Sequence, residues 1–258
     1  MIIGLLALYF ILFGGGHQTY LLDPNFEKAV GVYVKDKDRK SEIDKIVKQV
    51  EKSEEEFQKQ TKKVYDKKLI DLNMNHASTP GEFKQVYDSF YIGLKELVSG
   101  FLTSELKTRS LIHPGEWDSI VSKAIKQPDE SKIRKAIISR NEQLQYRLIA
   151  ACNKYITDSA DRSKTRVIIG EYEIKGDNLT EAFLELNFKY LKALRPYNVS
   201  RQDFEPIRTK MIELRRNYTD ELVEMRFKIL AMTPEKNWKD LAKELNSTFT
   251  YLGPGVSN

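Results

Sequence analysis

Residues 79–101 read TPGEFKQVYDSFYIGLKELVSGF, and the spacing of their apolar members decides the fold class. Phe83, Val86, Tyr87, Phe90, Leu94, Leu97, Val98 and Phe101 recur at intervals of one, three and four, which is the repeat of one broad face of an α-helix. Thr79 is a good cap, Pro80 suits the first turn, and Glu82 stands three residues after Thr79 to close a capping box. A face this broad and apolar needs other helices to cover it.

The chain supplies them on both sides. His113-Pro114-Gly115-Glu116-Trp117 repeats the same start and leads into Ile120, Val121 and Ile125, with Pro128 as the stop. Ile133, Ile137, Leu144, Leu148, Ala151, Cys152 and Tyr155 place one apolar face on a helix over 130–157. Two more helices are expected near 179–195 and 203–231. The second carries the stripe Phe204, Ile207, Met211, Leu214, Tyr218, Leu222, Met225 and Ile229. A last helix starts at Thr233-Pro234-Glu235, and Gly253-Pro254-Gly255 ends the order. One stretch departs from the habit: residues 165–174, TRVIIGEYEI, are rich in β-branched residues and alternate in their second half. They are expected to form at most one short β element. The fold class read from the sequence is therefore mainly all-α, with more than about 60% helix against a usual third.

Upstream, Phe26, Val30, Tyr33 and Val34 make a helical stripe. Ile43, Val50, Phe57 and Val64 then recur every seven residues, but their companions three on are Ile46, Ser53, Gln60 and Lys67. A coiled coil needs both positions apolar. The row is half a seam, and it is the candidate contact for a partner, the competing reading being contact with the chain's own later helices. A straight helix over roughly 45 residues would span ~65 Å.

The chain opens MIIGLLALYFILFGGG, and residues 2–22 carry no formal charge. About 20 apolar residues cross a bilayer. Ile2, Ile3, Leu5, Leu6, Leu8, Tyr9, Phe10, Ile11, Leu12 and Phe13 are the expected anchor. No basic residue precedes the run and no A-x-A-like triplet follows it, which argues against a cleaved signal. The expectation is a single-pass membrane protein touching the lipid bilayer through residues 2–22, with the body on the extracytoplasmic side. Lys28, Lys35, Lys37, Arg39 and Lys40 weigh the other way under the positive-inside rule. The domain plan that follows is an anchor at 1–22, a helical linker at 23–72, a helical bundle built from 73–160 and 179–252 around a connector at 161–178, and a tail at 253–258.

Composition bounds the function. Lys and Arg number 42 against 37 Asp and Glu, a net charge of +5 spread with mixed sign. Nucleic acid is not an expected partner, since a dedicated binder concentrates its basic charge. The single cysteine, Cys152, forms no internal disulfide. His76 and His113 have no helix-spaced partner and no C-x-x-C occurs, so no metal or other cofactor is expected. Glu82, Glu116 and Glu235 could in principle do acid–base work, but their recurrence at helix starts fits capping better. No catalytic residue is assigned. Met232-Thr233-Pro234-Glu235-Lys236, set between two helices, resembles the helix–LTPEQ–helix element of periplasmic Spy/CpxP-type stress chaperones. The leucine and the glutamine of that element are replaced here, and the likeness covers about a tenth of the chain, so no residue roles are carried over. What it implies is an extracytoplasmic, chaperone-like helical binding module. The leading expectation is a membrane-anchored helical interaction protein, an accessory or scaffold subunit with other protein subunits as partners. An enzyme comes third.

Overall fold

The computed structural model describes residues 19–124 and 129–251. Among these residues there is no strand, and 88% are helical. A short 3₁₀ turn, Tyr20–Leu22, leads into α1 (Pro24–Tyr33) and α2 (Lys37–Gln60). A π-helical segment, Thr61–Asp66, joins α2 to α3 (Lys67–Met74). Then come α4 (Pro80–Ser110), α5 (Pro114–Ala124), α6 (Glu130–Tyr155), α7 (Ser159–Ala193), α8 (Arg201–Ala231) and α9 (Glu235–Tyr251).

Helix α8 is the axis of the molecule. It packs along α7 on one side and along α4 on the other. Helix α4 also supports α2, α6 lies between α7 and α9, and α1 rests on α5. The main core gathers Phe26, Trp117, Phe204, Leu222, Ile229 and Trp238, all essentially inaccessible. A second, smaller core of Phe57, Leu69, Phe83, Val86, Tyr87 and Phe90 sits under the π segment. The capping box expected at Thr79 is formed: the Glu82 N–H donates to Thr79 Oγ1, and the Thr79 N–H donates to Glu82 at 2.7 Å.

Four expectations are corrected. Residues 165–174 are helical and lie in the interior of α7, so the strand is absent and 161–178 is no connector. Val167 and Ile174 do face solvent, but Thr165, Ile169, Tyr172, Gly176 and Phe183 turn inward at helical spacing. A β-branched residue costs a helix only a few tenths of a kcal/mol, whereas burying an apolar side chain gains about 1.5–3 kcal/mol. Packing against α8 therefore overrides local preference. The Thr165 hydroxyl also donates to the Asp161 carbonyl, which suits a helix.

The long linking helix is divided. Val34 is extended, and Asp36 caps a new helix by accepting from the Asp38 and Arg39 N–H groups. Both halves fold onto the bundle, so the segment does not serve as a spacer.

Third, no helix among the described residues is long and apolar enough to cross a membrane. This overturns the single-pass localisation. The anchor residues Ile2, Ile3, Leu5, Leu6, Leu8, Tyr9, Phe10, Ile11, Leu12 and Phe13 lie outside the described residues. The count of about 20 residues needed for a span drew on Thr19–Leu22, and these belong to the helical body. Leu21 is buried in the main core, and the Tyr20 ring packs 5.0 Å from Phe26 and 5.8 Å from Trp117. The Tyr20 hydroxyl donates to the Glu105 carbonyl.

The fourth correction concerns the seven-residue row. Ile43 and Val50 are buried in the main core and Phe57 in the second one, where its ring lies 5.6 Å from Phe90. Only Val64 faces solvent, at 47% exposure. The π segment holds more residues per turn than an α-helix, so the inward face moves on by one position. Tyr65 takes the place against Phe90, at 5.7 Å, and Val64 is rotated outward.

Candidate interaction site

Helices α4 and α8 run antiparallel, and three contacts fix their register. Arg216 pairs with Asp88 at one end. Arg208 donates to the Val98 carbonyl at 3.0 Å in the middle. Arg201 donates to the Thr103 hydroxyl at 2.6 Å at the other end. Outside this seam the two helices leave a groove of about 450 Å³, lined by Asp88, Tyr91, Ile92 and Lys95 from α4 and by Thr209, Ile212, Glu213 and Arg216 from α8. A cavity between α6, α7 and α8 has room for only about 20 Å³, roughly one water.

The groove has an apolar centre and a charged margin. Ile92 stands in it 62% exposed. Asp88 accepts from Lys84 at 2.7 Å and from Arg216, and these cations hold its carboxyl below the usual range. Lys210 donates to Glu213 at 3.0 Å. The floor is firm. The Tyr91 hydroxyl lies 2.7 Å from Thr219 Oγ1, which itself donates to the Arg215 carbonyl, so the tyrosine is the donor. Burial pushes the Tyr91 phenol up to about 12, and it stays protonated at neutral pH.

The residues considered for chemistry are not brought together. Glu82 serves its cap at Thr79. Glu116 accepts two hydrogen bonds from Arg39, at 2.7 and 2.9 Å, and one from the His113 N–H at 2.8 Å. The Arg39 guanidinium is the main reason its carboxyl falls to about 2. Glu235 is exposed at the start of α9. The His76 ring lies against Trp238, centroids 6.5 Å apart. Cys152 is buried, and burial pushes its thiol up to about 12. Among the described residues no group of three or more His, Cys, Asp or Glu side chains could hold a metal ion.

Three of the four row residues expected at a partner contact are thus inside the protein, and the exposed groove is made by residues that no sequence motif singles out. The signal that could have found them is Ile92. It stands two positions from Phe90 and two from Leu94, off the apolar face those residues share. Singly exposed aliphatic residues are ordinary on protein surfaces, and Val167 and Ile174 are exposed to a similar degree, so this signal becomes specific only with Ile212 across the groove. No family model, curated protein or solved structure matches this chain.

Proposed function

We propose that the chain is a helical protein–protein interaction module that engages its partner through the α4–α8 face. The observation that carries this reading is the groove itself: a 450 Å³ recess with an exposed isoleucine at its centre and ionised residues of both signs at its margin. Protein interfaces combine an apolar centre with a polar rim in this way. The supporting scaffold is rigid: Tyr91, Arg208 and Thr219 are buried and hydrogen-bonded between the two helices. A prepositioned face of this kind limits the ordering cost of association.

The test is site-specific photocrosslinking in cells. A benzophenone amino acid at position 92 is expected to give one dominant protein adduct, lost when Ile212 is changed to Asp. The same probe at position 167, exposed on α7, is expected to give none. Equal labelling from both positions, or no adduct from position 92, would remove the α4–α8 face as the binding site.

A further inference from the structure

Helix α6 has an apolar side that its described neighbours leave unfilled. Among its described side chains none before Leu148 is buried, although Ile133, Ile137 and Leu144 recur there at helical spacing. What joins this half of α6 to α7 is polar: Arg134 pairs with Glu181, and Asn141 donates to Asp177 at 2.6 Å. The three apolar residues stand about a quarter turn round α6 from those contacts. On α7, Asp177, Glu181, Leu184 and Phe188 are spaced by four, three and four, so the side that meets α6 turns from acidic to apolar toward Tyr190. Ile133, Ile137, Leu184 and Phe188 belong to neither core. We infer that the apolar run at residues 2–13 docks as a short helix in this trough between α6 and α7, as part of the protein's own core.

Length and point of entry support that occupant. A helix over 2–13 rises about 18 Å, short of the ~30 Å hydrocarbon core of a bilayer, and apolar stretches of about 10–14 residues are more often buried core helices than spans. A helix apolar all round needs cover all round. The trough wall from Ile133 to Leu144 is about 17 Å long. The chain enters the body at its near end. Thr19 and Leu21 are buried. The Tyr20 hydroxyl donates to the Glu105 carbonyl, and the Tyr190 hydroxyl donates to the Glu105 carboxylate at 3.1 Å. Leu184 lies six residues before Tyr190, about 9 Å along α7. From Phe13 to Thr19 the chain can reach up to about 20 Å, and Gly14-Gly15-Gly16 accept the backbone angles that a reversal of direction needs. The run then passes back along α6, with Phe13 near Ile133 and Ile2 near Leu144.

The experiment uses the full chain, with and without vesicles of phosphatidylcholine and phosphatidylglycerol in equal amounts. A benzophenone amino acid in place of Tyr9 exchanges one aromatic side chain for another. It is expected to crosslink within the same chain, and peptide mapping should place the adduct at residues 133–144 or 184–188 whether or not vesicles are present. Leu8→Glu combined with Leu12→Glu should undock the run. Amide exchange over residues 133–147 should then quicken about tenfold or more, while exchange around Leu222 in the main core stays as it was. An adduct with lipid or with a different chain overturns the inference. So does exchange over 133–147 that the double variant leaves unchanged. Neither readout involves the α4–α8 groove, so the interaction reading stands or falls separately.

Discussion

Arg208 and Arg226 stand about five turns apart on the same helix, and both are buried, yet they are satisfied in opposite ways. Arg208, at the centre of the bundle, faces the Glu105 carboxylate at 2.7 Å and the Tyr190 hydroxyl. Burial alone would lower its pKa, but the carboxylate and the phenol reverse that and hold it above the ordinary arginine value. Among the described residues no carboxylate pairs with Arg226. Its guanidinium reaches the carbonyls of Leu72, Asn73 and Asn75 and the Ser78 hydroxyl, all within 3.3 Å. Phe83, Phe227 and Trp238 surround it with ring centroids 4.4–4.9 Å away. Burial lowers its pKa to about 10, so it remains charged at neutral pH. It uses the negative end of α3 and three aromatic faces where Arg208 uses an ion. The difference teaches that one pair ties three helices by charge, whereas the other arginine pins the turn that carries the chain from α3 to α4.

That contrast can be broken by substitution. Arg208→Met strands a carboxylate that is only 3% exposed, and a chemical-denaturation midpoint should report a loss of about 3–5 kcal/mol. Adding Glu105→Leu removes the stranded charge, and the double variant is expected to recover most of the loss. A double variant no more stable than Arg208→Met would show that the ion pair is not what costs the single variant. Arg226→Met leaves carbonyls unpaired but no counter-ion, so the expected loss is smaller, about 2 kcal/mol. The accompanying sign is local: amide exchange should quicken at residues 72–79 and not around Glu105.

Two less buried arginines extend the series. Arg39 and Glu116 are about a fifth exposed on both sides. The folded Glu116 carboxyl is lowered to about 2 from 4.5, so its contribution is complete above pH 4.5 and is lost as pH falls toward 2. Arg39→Gln should flatten that stretch of the acid-stability curve; a curve of unchanged slope would assign acid sensitivity to other carboxylates. At the exposed end, Arg216→Ala removes a surface pair and is expected to change stability by no more than about 0.5 kcal/mol. Its effect should appear in association through the groove and not in melting.

Much of the helical content is legible in the sequence because its signals are short. Thr79-Pro80-Gly81-Glu82 starts α4 through contacts within four residues, and Pro114–Trp117 starts α5 with Glu116 accepting the His113 N–H. The apolar repeat of α8 needs no knowledge of what lies opposite. The candidate site is not legible in this way. Ile92 becomes informative only when Ile212, 120 residues away, is seen across the groove from it. The outward turn of Val64 is equally hidden, because residues 57–66 carry no local mark of the π segment that causes it.

The sequence alone determined that the described chain is helical and where several helices begin, since capping and periodicity act over a turn or two of backbone. The tertiary structure decided which of those faces are covered. It made helix out of the β-branched run at 165–174, took Ile43, Val50 and Phe57 into the core, drew Leu21 in with them, and left Ile92 outside. The physical reason is range: a hydrogen-bonded turn is closed by neighbours, whereas burial is settled by residues brought together from far along the chain, and for an apolar side chain burial is the larger energy.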